Sequence, residues 1–199
     1  MQLTESNVVL IGAFNASIVQ PPWLIANKVV DPVDECTAKI ELNNRAETQW
    51  RFSLDELDWR VSGDRIVIGS GRLRSPAPYY EKLLELLPHT PLRAVGINFK
   101  LRQDMKDWTA PIPSLPNQEA MRSHLGDIII TSTATRSRQT NKTQVSLTLE
   151  ATEEEVTLDA NFHRGVDGRE MALHALTEFE SDWEYLGQLI RLMTSQVAS

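Results

Sequence analysis

An alternating segment near the middle of the chain, residues 91–102, constrains the fold more than any other feature of the sequence. In this segment, which reads PLRAVGINFKLR, apolar side chains alternate with small or polar ones. A period of two places successive side chains on opposite faces, so the segment predicts a β-strand with one buried face. It follows a helical pattern that ends at Pro88, and it lies almost at the midpoint of the 199 residues. We therefore interpret it as the first strand of a second half.

The residues before this strand predict a strand, a short helix, a strand meander and a longer helix. The nearly continuous apolar run at 7–14 predicts a buried strand, and a Pro-Pro pair introduces a short helix over 22–28. Alternating segments between 37 and 69 predict the meander, in which 49–61 reads as one bent strand or as two. A Ser-Pro start and an apolar stripe then predict an amphipathic helix at 76–87.

The residues after the central strand repeat that order of elements. They predict a short helix at 117–124 and three strands at 127–135, 143–151 and 155–164. The C-terminal region then shows helical spacing of its apolar residues. A capping-box pattern at Ser181 marks where this region would divide if it forms two helices.

These patterns predict a single α+β domain with a largely antiparallel sheet and helices on one face. Two similar halves, 1–90 and 91–199, would share that sheet. The order of strand, helix, strands and helix, given twice, resembles the duplicated saddle layout of the TATA-binding-protein fold. The resemblance lies in element order alone, since the sequence contains no motif of that family, and a shared layout implies nothing about function.

Composition narrows the classes of function. The net charge of −7 and the pI near 5.1 argue against a general binder of nucleic acid or anionic membranes. The N-terminus lacks a basic start, and no apolar run approaches the ~18 residues of a membrane-spanning helix. The single cysteine, Cys36, excludes an internal disulfide and a multi-cysteine metal site. We therefore expect a cytoplasmic protein with no metal and no cofactor.

The charge is distributed unevenly along the chain. Residues 91–142 contain eight Lys or Arg against four Asp or Glu, whereas residues 143–199 contain three against eleven. Oppositely charged, solvated faces explain this difference, and so does a basic patch that meets an acidic partner. A basic segment, 136–142, contains Arg136, Arg138 and Lys142, which would contact phosphates if the chain bound nucleic acid.

The search for catalytic patterns yields one pair of residues. Phosphate-binding glycine loops and a nucleophile elbow are absent from the sequence, so we predict no catalytic residue. On the strand 155–164, Asp159, Asn161 and His163 alternate with apolar residues and therefore project from the face opposite the helices. Four residues of strand separate Asp159 from His163 by about 13 Å, too far for a direct hydrogen bond.

Two classes of function remain after this search. The first, which we favour, is a non-enzymatic interaction or accessory protein that recognises another protein or further copies of itself. It would use the exposed sheet face and loops rich in Trp and Pro, such as the segment that begins at Trp108. The second is an enzyme with a dispersed polar site around Asp159 and His163. Nucleic-acid binding through 136–142 is a further alternative.

Overall fold

The computed structural model describes residues 1–32, 38–42, 48–108, 132–138, 143–152 and 154–195. Within these residues, nine strands form one antiparallel sheet in the order β2-β3-β4-β5-β1-β6-β9-β8-β7. The strands are β1 (Gln2–Gly12), β2 (Ala38–Leu42), β3 (Thr48–Leu54), β4 (Leu57–Val61), β5 (Arg65–Ser70), β6 (Leu92–Asp104), β7 (Ser132–Arg138), β8 (Thr143–Ala151) and β9 (Glu155–Gly165). The predicted α+β class with an antiparallel sheet is confirmed.

Four α-helices and one short 3-10 turn occur in the described part of the chain. They are α1 (Pro21–Ala26), α2 (Ala77–Leu86), the 3-10 turn Met105–Asp107, α3 (Arg169–Leu176) and α4 (Phe179–Ser195). None of these helices combines the length and the apolar character that crossing a membrane requires.

One face of the sheet carries the hydrophobic core, because the strand registers place apolar residues side by side. A row of buried residues crosses six strands and consists of Trp59, Ile68, Val8, Ile97, Phe162 and Val145. Helix α4 covers this face: the Phe179 ring lies 5.2 Å from that of Phe99, and the Trp183 ring 5.3 Å from it. Helix α2 covers it near β4, where Tyr79 meets Trp59 edge to face. The opposite face of the sheet is called the open face below.

The segment 49–61 forms two strands that are joined by a two-residue turn. The turn residues, Asp55 and Glu56, have φ angles of 53° and 59°. Positive φ at both central positions matches the twist of antiparallel strands, although Asn or Gly usually occupies such positions. The sequence therefore lacked the usual turn signal, and its acidic residues gave no indication of a hairpin.

The C-terminal helical region divides earlier than the capping-box pattern indicated. The structure ends α3 at Leu176 and begins α4 at Phe179, so Ser181 lies inside a helix. The Ser181 hydroxyl donates to the Glu178 side chain instead of capping a backbone N–H group. Packing of Phe179 against Phe99 accounts for the earlier start, since it requires α4 to extend back over the sheet. The predicted helix at 117–124 and the single cysteine, Cys36, lie outside the described residues.

Candidate functional site

The centre of the open face carries three asparagines in one row. The registers of β1, β6 and β9 place Asn7 opposite Asn98, and Asn98 opposite Asn161. Neighbouring strands lie about 4.8 Å apart, so these side chains are within hydrogen-bonding reach of one another. All three are half-buried. We call Asn7, Asn98 and Asn161 the amide ladder.

Hydrogen bonds give the amide ladder a direction. Asn161 Nδ2 donates to Asn98 Oδ1, and Asn98 Nδ2 donates to Asn7 Oδ1 at 2.7 Å. Asn7 Nδ2 then donates to Glu5 Oε1 at 2.8 Å. An ionised carboxylate only accepts hydrogen bonds, so Glu5 determines which way each amide points. Each asparagine keeps one N–H group for a further partner, and its oxygen keeps one lone pair in Asn7 and Asn98 and two in Asn161.

A row of charges lies beside the amide ladder. Lys100 pairs in register with Glu5 on one side and with Asp159 on the other. The Lys100 ammonium lies 3.8 Å from Asp159 Oδ1, and Arg60 reaches Glu5 at 4.0 Å. Burial raises the pKa of Asp159, while the Lys100 charge opposes this rise. This part of the open face is therefore a mixed-charge surface around neutral amides.

Two shallow grooves lie on either side of β1 on the open face. The first, of about 290 Å³, contains the amide ladder and extends over Lys100 and Asp159 towards β8. The second, of about 170 Å³, extends towards Asp58 on β4. Glu5 and Asn7 line both grooves. The acceptor end of the ladder therefore lies where the two grooves meet.

A third row crosses all nine strands next to the ladder. It consists of Lys39, Arg51, Arg60, Val67, Val9, Gly96, His163, Gln144 and Arg138. Eight inter-strand steps make the row about 40 Å long. Basic residues occupy the two outer parts of the row, and small or apolar residues occupy its centre. This third row therefore combines a neutral centre with basic ends.

Five of the seven site residues predicted from sequence share the open face. Asp159, Asn161 and His163 project from it as alternation predicted, and all three are half-buried. Arg136 pairs in register with Ser146, and Arg138 with Gln144, which places both arginine positions on the same face.

Of the other two predicted site residues, Trp108 lies elsewhere in the described structure. Trp108 follows the 3-10 turn and packs, half-buried, against the hydrophobic core. Lys142 lies outside the described residues. Their role in binding stays a prediction from sequence.

Asp159 and His163 do not form an acid–base pair. The nearest charged partner of Asp159 is Lys100, whereas His163 lies in register between Gly96 and Gln144. Among the side chains that the structure describes, His163 has no hydrogen-bond partner. A general base needs a group that orients its imidazole, and none of the described residues bonds to His163 in this way. The enzyme alternative stays a prediction from sequence.

Sequence reasoning missed the residues that organise the open face, namely Glu5, Asn7 and Asn98. Asn7 stands at the start of an apolar run, and Asn98 belongs to the polar side of the central strand. The available signal was one asparagine at an outward position in each of three strands. Three such asparagines do not indicate a hydrogen-bonded row until the register of the strands is known.

A second polar cluster, outside the open face, holds the β3–β4 hairpin against α2. Arg74 Nη2 donates to Asp55 Oδ2 at 2.8 Å and to the Tyr79 hydroxyl oxygen at 2.6 Å, and that hydroxyl donates to Asp55. Burial and the hydrogen bond to Asp55 raise the pKa of Tyr79 to about 12. The hydroxyl therefore stays protonated and continues to donate, which suits a structural tie.

Within the ranges that the structure describes, no three His, Cys, Asp or Glu residues are arranged to hold a metal ion. Comparison of the sequence with protein-family models and with curated proteins finds no match. The proposals below therefore depend on the geometry of the molecule.

Proposed function

We propose that this chain is a non-enzymatic interaction or accessory protein of the cytoplasm that recognises a macromolecular partner through the open face. The partner is another protein or a second copy of this chain. The observation that carries the proposal is the amide ladder, which extends hydrogen-bonded side chains across three central strands. A ladder held in one direction offers fixed donors and acceptors, and ordering them on binding costs little side-chain entropy.

The size and polarity of the open face support this proposal. A width of about 40 Å is comparable to a standard protein interface, which buries roughly 800 Å² on each partner. The two grooves that meet at Glu5 and Asn7 make this surface concave rather than flat at its centre. The basic ends of the third row favour a partner with acidic groups at its periphery.

We also infer that the chain is one domain in which a single layout occurs twice, as in the TATA-binding-protein saddle. The strand order supports this inference, since β1 and β6 are paired at the centre. Outward from β1 the next strands are β5, β4, β3 and β2, and outward from β6 they are β9, β8 and β7. The two central strands belong to the halves 1–90 and 91–199, and the open face extends across both halves.

The experiment is affinity capture from native cell extract with three versions of the chain. Ser146→Arg places a long cation in the groove beside the amide ladder without removing a ladder amide. Ser17→Arg, in the exposed loop after β1, is the matched control because it makes the same chemical change elsewhere. Circular dichroism first verifies that both variants keep the fold of the parent.

The proposal expects a partner that the parent and Ser17→Arg both retain and that Ser146→Arg loses. If the partner is a second copy of the chain, sedimentation of the purified parent shows self-association, and Ser146→Arg reduces it. Identical capture by all three proteins, together with a monomeric parent, would show that the open face is not the recognition surface.

Nucleic-acid binding is the second candidate, and one observation favours it. The register positions of Arg136 and Arg138 place them on the same face as Asn161 and His163. If Arg136, Arg138 and Lys142 bind phosphates, replacing all three with Ala weakens binding and reduces the salt slope by about 0.9 for each phosphate that is no longer neutralised. Absence of binding by the parent at ~50 mM salt would reject this candidate. Nuclease treatment of the extract separates it from direct protein recognition.

A further inference from the structure

The larger of the two grooves on the open face contains two rows of four polar side chains. The groove extends from β1 to β8, so its midline runs between β6 and β9. The first row is the amide ladder together with its register neighbour on β8, in the order Asn7, Asn98, Asn161 and Ser146. The second row, in the same strand order, is Glu5, Lys100, Asp159 and Thr148. All eight residues are half-buried.

A two-fold axis along this midline places the open face of a second copy of the chain against the first. The axis is parallel to the strands and lies in the plane of the interface. Rotation about it keeps the position of each residue along its strand, so β6 faces β9 of the second copy and β1 faces its β8. Sheets that pack face to face lie about 10 Å apart, with strand directions within about 30°. A symmetric interface uses the same patch on both copies, so each row has to be complementary to itself.

The charged row meets this requirement. Lys100 faces Asp159 of the second copy, and the symmetry produces this ion pair twice. Within one chain the Lys100 ammonium lies 3.8 Å from Asp159 Oδ1, which is longer than a hydrogen bond, so ammonium N–H groups remain for another acceptor. The two side chains are 41% and 43% exposed, which leaves them accessible. Glu5 faces Thr148 of the second copy, whose hydroxyl donates to the carboxylate.

The row of the amide ladder is also complementary to itself. Asn98 faces Asn161 of the second copy, and each of these amides keeps an N–H group and an oxygen lone pair that the ladder does not use. Each amide therefore donates to the other and accepts from it, directly or through one water. Asn7 faces Ser146 of the second copy, and a hydroxyl both donates and accepts. The four facing pairs thus bring together neither like charges nor two groups that only accept.

We propose that the open face binds a second copy of this chain about a two-fold axis between β6 and β9. The inference rests on the proposed function, because it names the partner of the same surface. The resulting homodimer has two sheets face to face, with the helices of each copy on the outside. Its contacts use donors and acceptors that the amide ladder leaves over, so the ladder remains intact when the dimer forms.

The test exchanges the two charges that face each other across the axis. Lys100→Glu brings carboxylates together at both Lys100–Asp159 contacts of a dimer, and Asp159→Lys brings ammonium groups together there. A mixture of these two variants restores both contacts, because each lysine then faces a carboxylate of the other variant. Glu85→Lys, on the exposed side of α2, is the control for a charge reversal elsewhere. Sedimentation velocity measures self-association, and circular dichroism and thermal melting verify that each variant is folded.

We expect the parent and Glu85→Lys to form dimers with the same dissociation constant. Lys100→Glu and Asp159→Lys alone should each weaken self-association at least about tenfold, because like charges face each other twice. An equimolar mixture of the two should associate within about threefold of the parent. If either variant fails to fold, Thr148→Asp, which faces Glu5 of the second copy, is compared with Ser17→Asp in the exposed loop after β1. Thr148→Asp should then weaken the dimer, and Ser17→Asp should not.

Three results would overturn the proposal. A monomeric parent refutes the homodimer, and equal dissociation constants for Thr148→Asp and Ser17→Asp place self-association on another surface. A mixture of Lys100→Glu and Asp159→Lys that stays as weak as each variant alone refutes the axis between β6 and β9. A monomeric parent that still captures a different protein, which Ser146→Arg loses, refutes the second copy alone and leaves the proposed function in place. A monomeric parent whose capture is unchanged by Ser146→Arg contradicts both.

Discussion

The direction of the amide ladder predicts that Asn161→Asp destabilises the protein. In the parent, Asn161 donates to Asn98 Oδ1, so a carboxylate at position 161 would bring two acceptor oxygens together. Rotation of the Asn98 amide cannot relieve this contact, because Asn98 already donates to Asn7. Asn7 in turn donates to the Glu5 carboxylate, which cannot reverse its role.

Two contributions determine the size of this effect. A lost hydrogen bond that leaves an acceptor unsatisfied costs about 1–3 kcal/mol when it is buried. The ladder is half-buried, so we expect about 1–2 kcal/mol from this source. The new charge also lies about 7 Å along the strand from Asp159, which adds roughly 0.6 kcal/mol of repulsion in water. For a chain of this size, the midpoint of thermal unfolding should fall by about 3–10 °C.

A double-mutant cycle with Glu5→Gln tests the direction itself. An amide at position 5 can donate to Asn7, so all three amides can then rotate together. After that rotation, a carboxylate at position 161 accepts from Asn98, and no acceptors face each other. Asn161→Asp should therefore cost about 1 kcal/mol less in the Glu5→Gln background than in the parent.

The assay is urea unfolding of the parent, both single variants and the double variant, compared at equal m-values. Ser146→Asp is the control, because Ser146 is the register neighbour of Asn161 on β8 and has no ladder bond. Its cycle with Glu5→Gln reports charge repulsion alone. A coupling energy for Asn161→Asp within ~0.3 kcal/mol of that control would refute the directional ladder.

Three further predictions concern the stability of the fold. Tyr80→Phe should cost about 1–3 kcal/mol in urea unfolding, since its buried hydroxyl donates to carbonyls of β1 and β5. Trp183→Ala should lower the thermal midpoint by several degrees, because its half-buried ring packs on the core; an unchanged midpoint would contradict this packing. Hydrogen bonds from Arg65 and Ser62 lower the pKa of Asp64 from 3.8 to about 2, so its stabilisation is present above pH ~4 and is lost as the pH falls towards 2. Asp64→Asn should reduce the pH dependence of unfolding in that window, and an unchanged slope would count against the assignment.

From the sequence alone, the alternation of side chains within a strand predicted which face of the sheet each residue lies on. In β9 it correctly assigned Leu158 and Phe162 to the core and Asn161 to the opposite face. Each of these assignments needs only the two-residue period of a strand, which is a local property. Helical spacing, which is also a local property, predicted a helix at the C-terminus whose residue Leu186 is fully buried.

The boundaries of helices and strands that the sequence did not predict depend on tertiary contacts. The break between α3 and α4 follows the packing of Phe179 on Phe99, which are 80 residues apart in the sequence. The turn at Asp55 and Glu56 adopts positive φ without glycine, and the Arg74 side chain helps to hold it. In both places a distant residue stabilises a local conformation that the local sequence does not favour.

The amide ladder shows why the candidate site was harder to predict than the fold. The pair Asp159 and His163 was considered because its members lie on one strand, but same-face residues along a strand are about 7 Å apart or more. Residues opposite each other on neighbouring strands approach within about 5 Å, so polar networks on a sheet form across strands. Asn7, Asn98 and Asn161 meet in this way despite sequence separations of 91 and 63 residues. Substitutions that test this surface should therefore be chosen first along the row of Asn7, Asn98 and Asn161, whose hydrogen bonds cross strands, and then at Glu5, which accepts from Asn7 along β1.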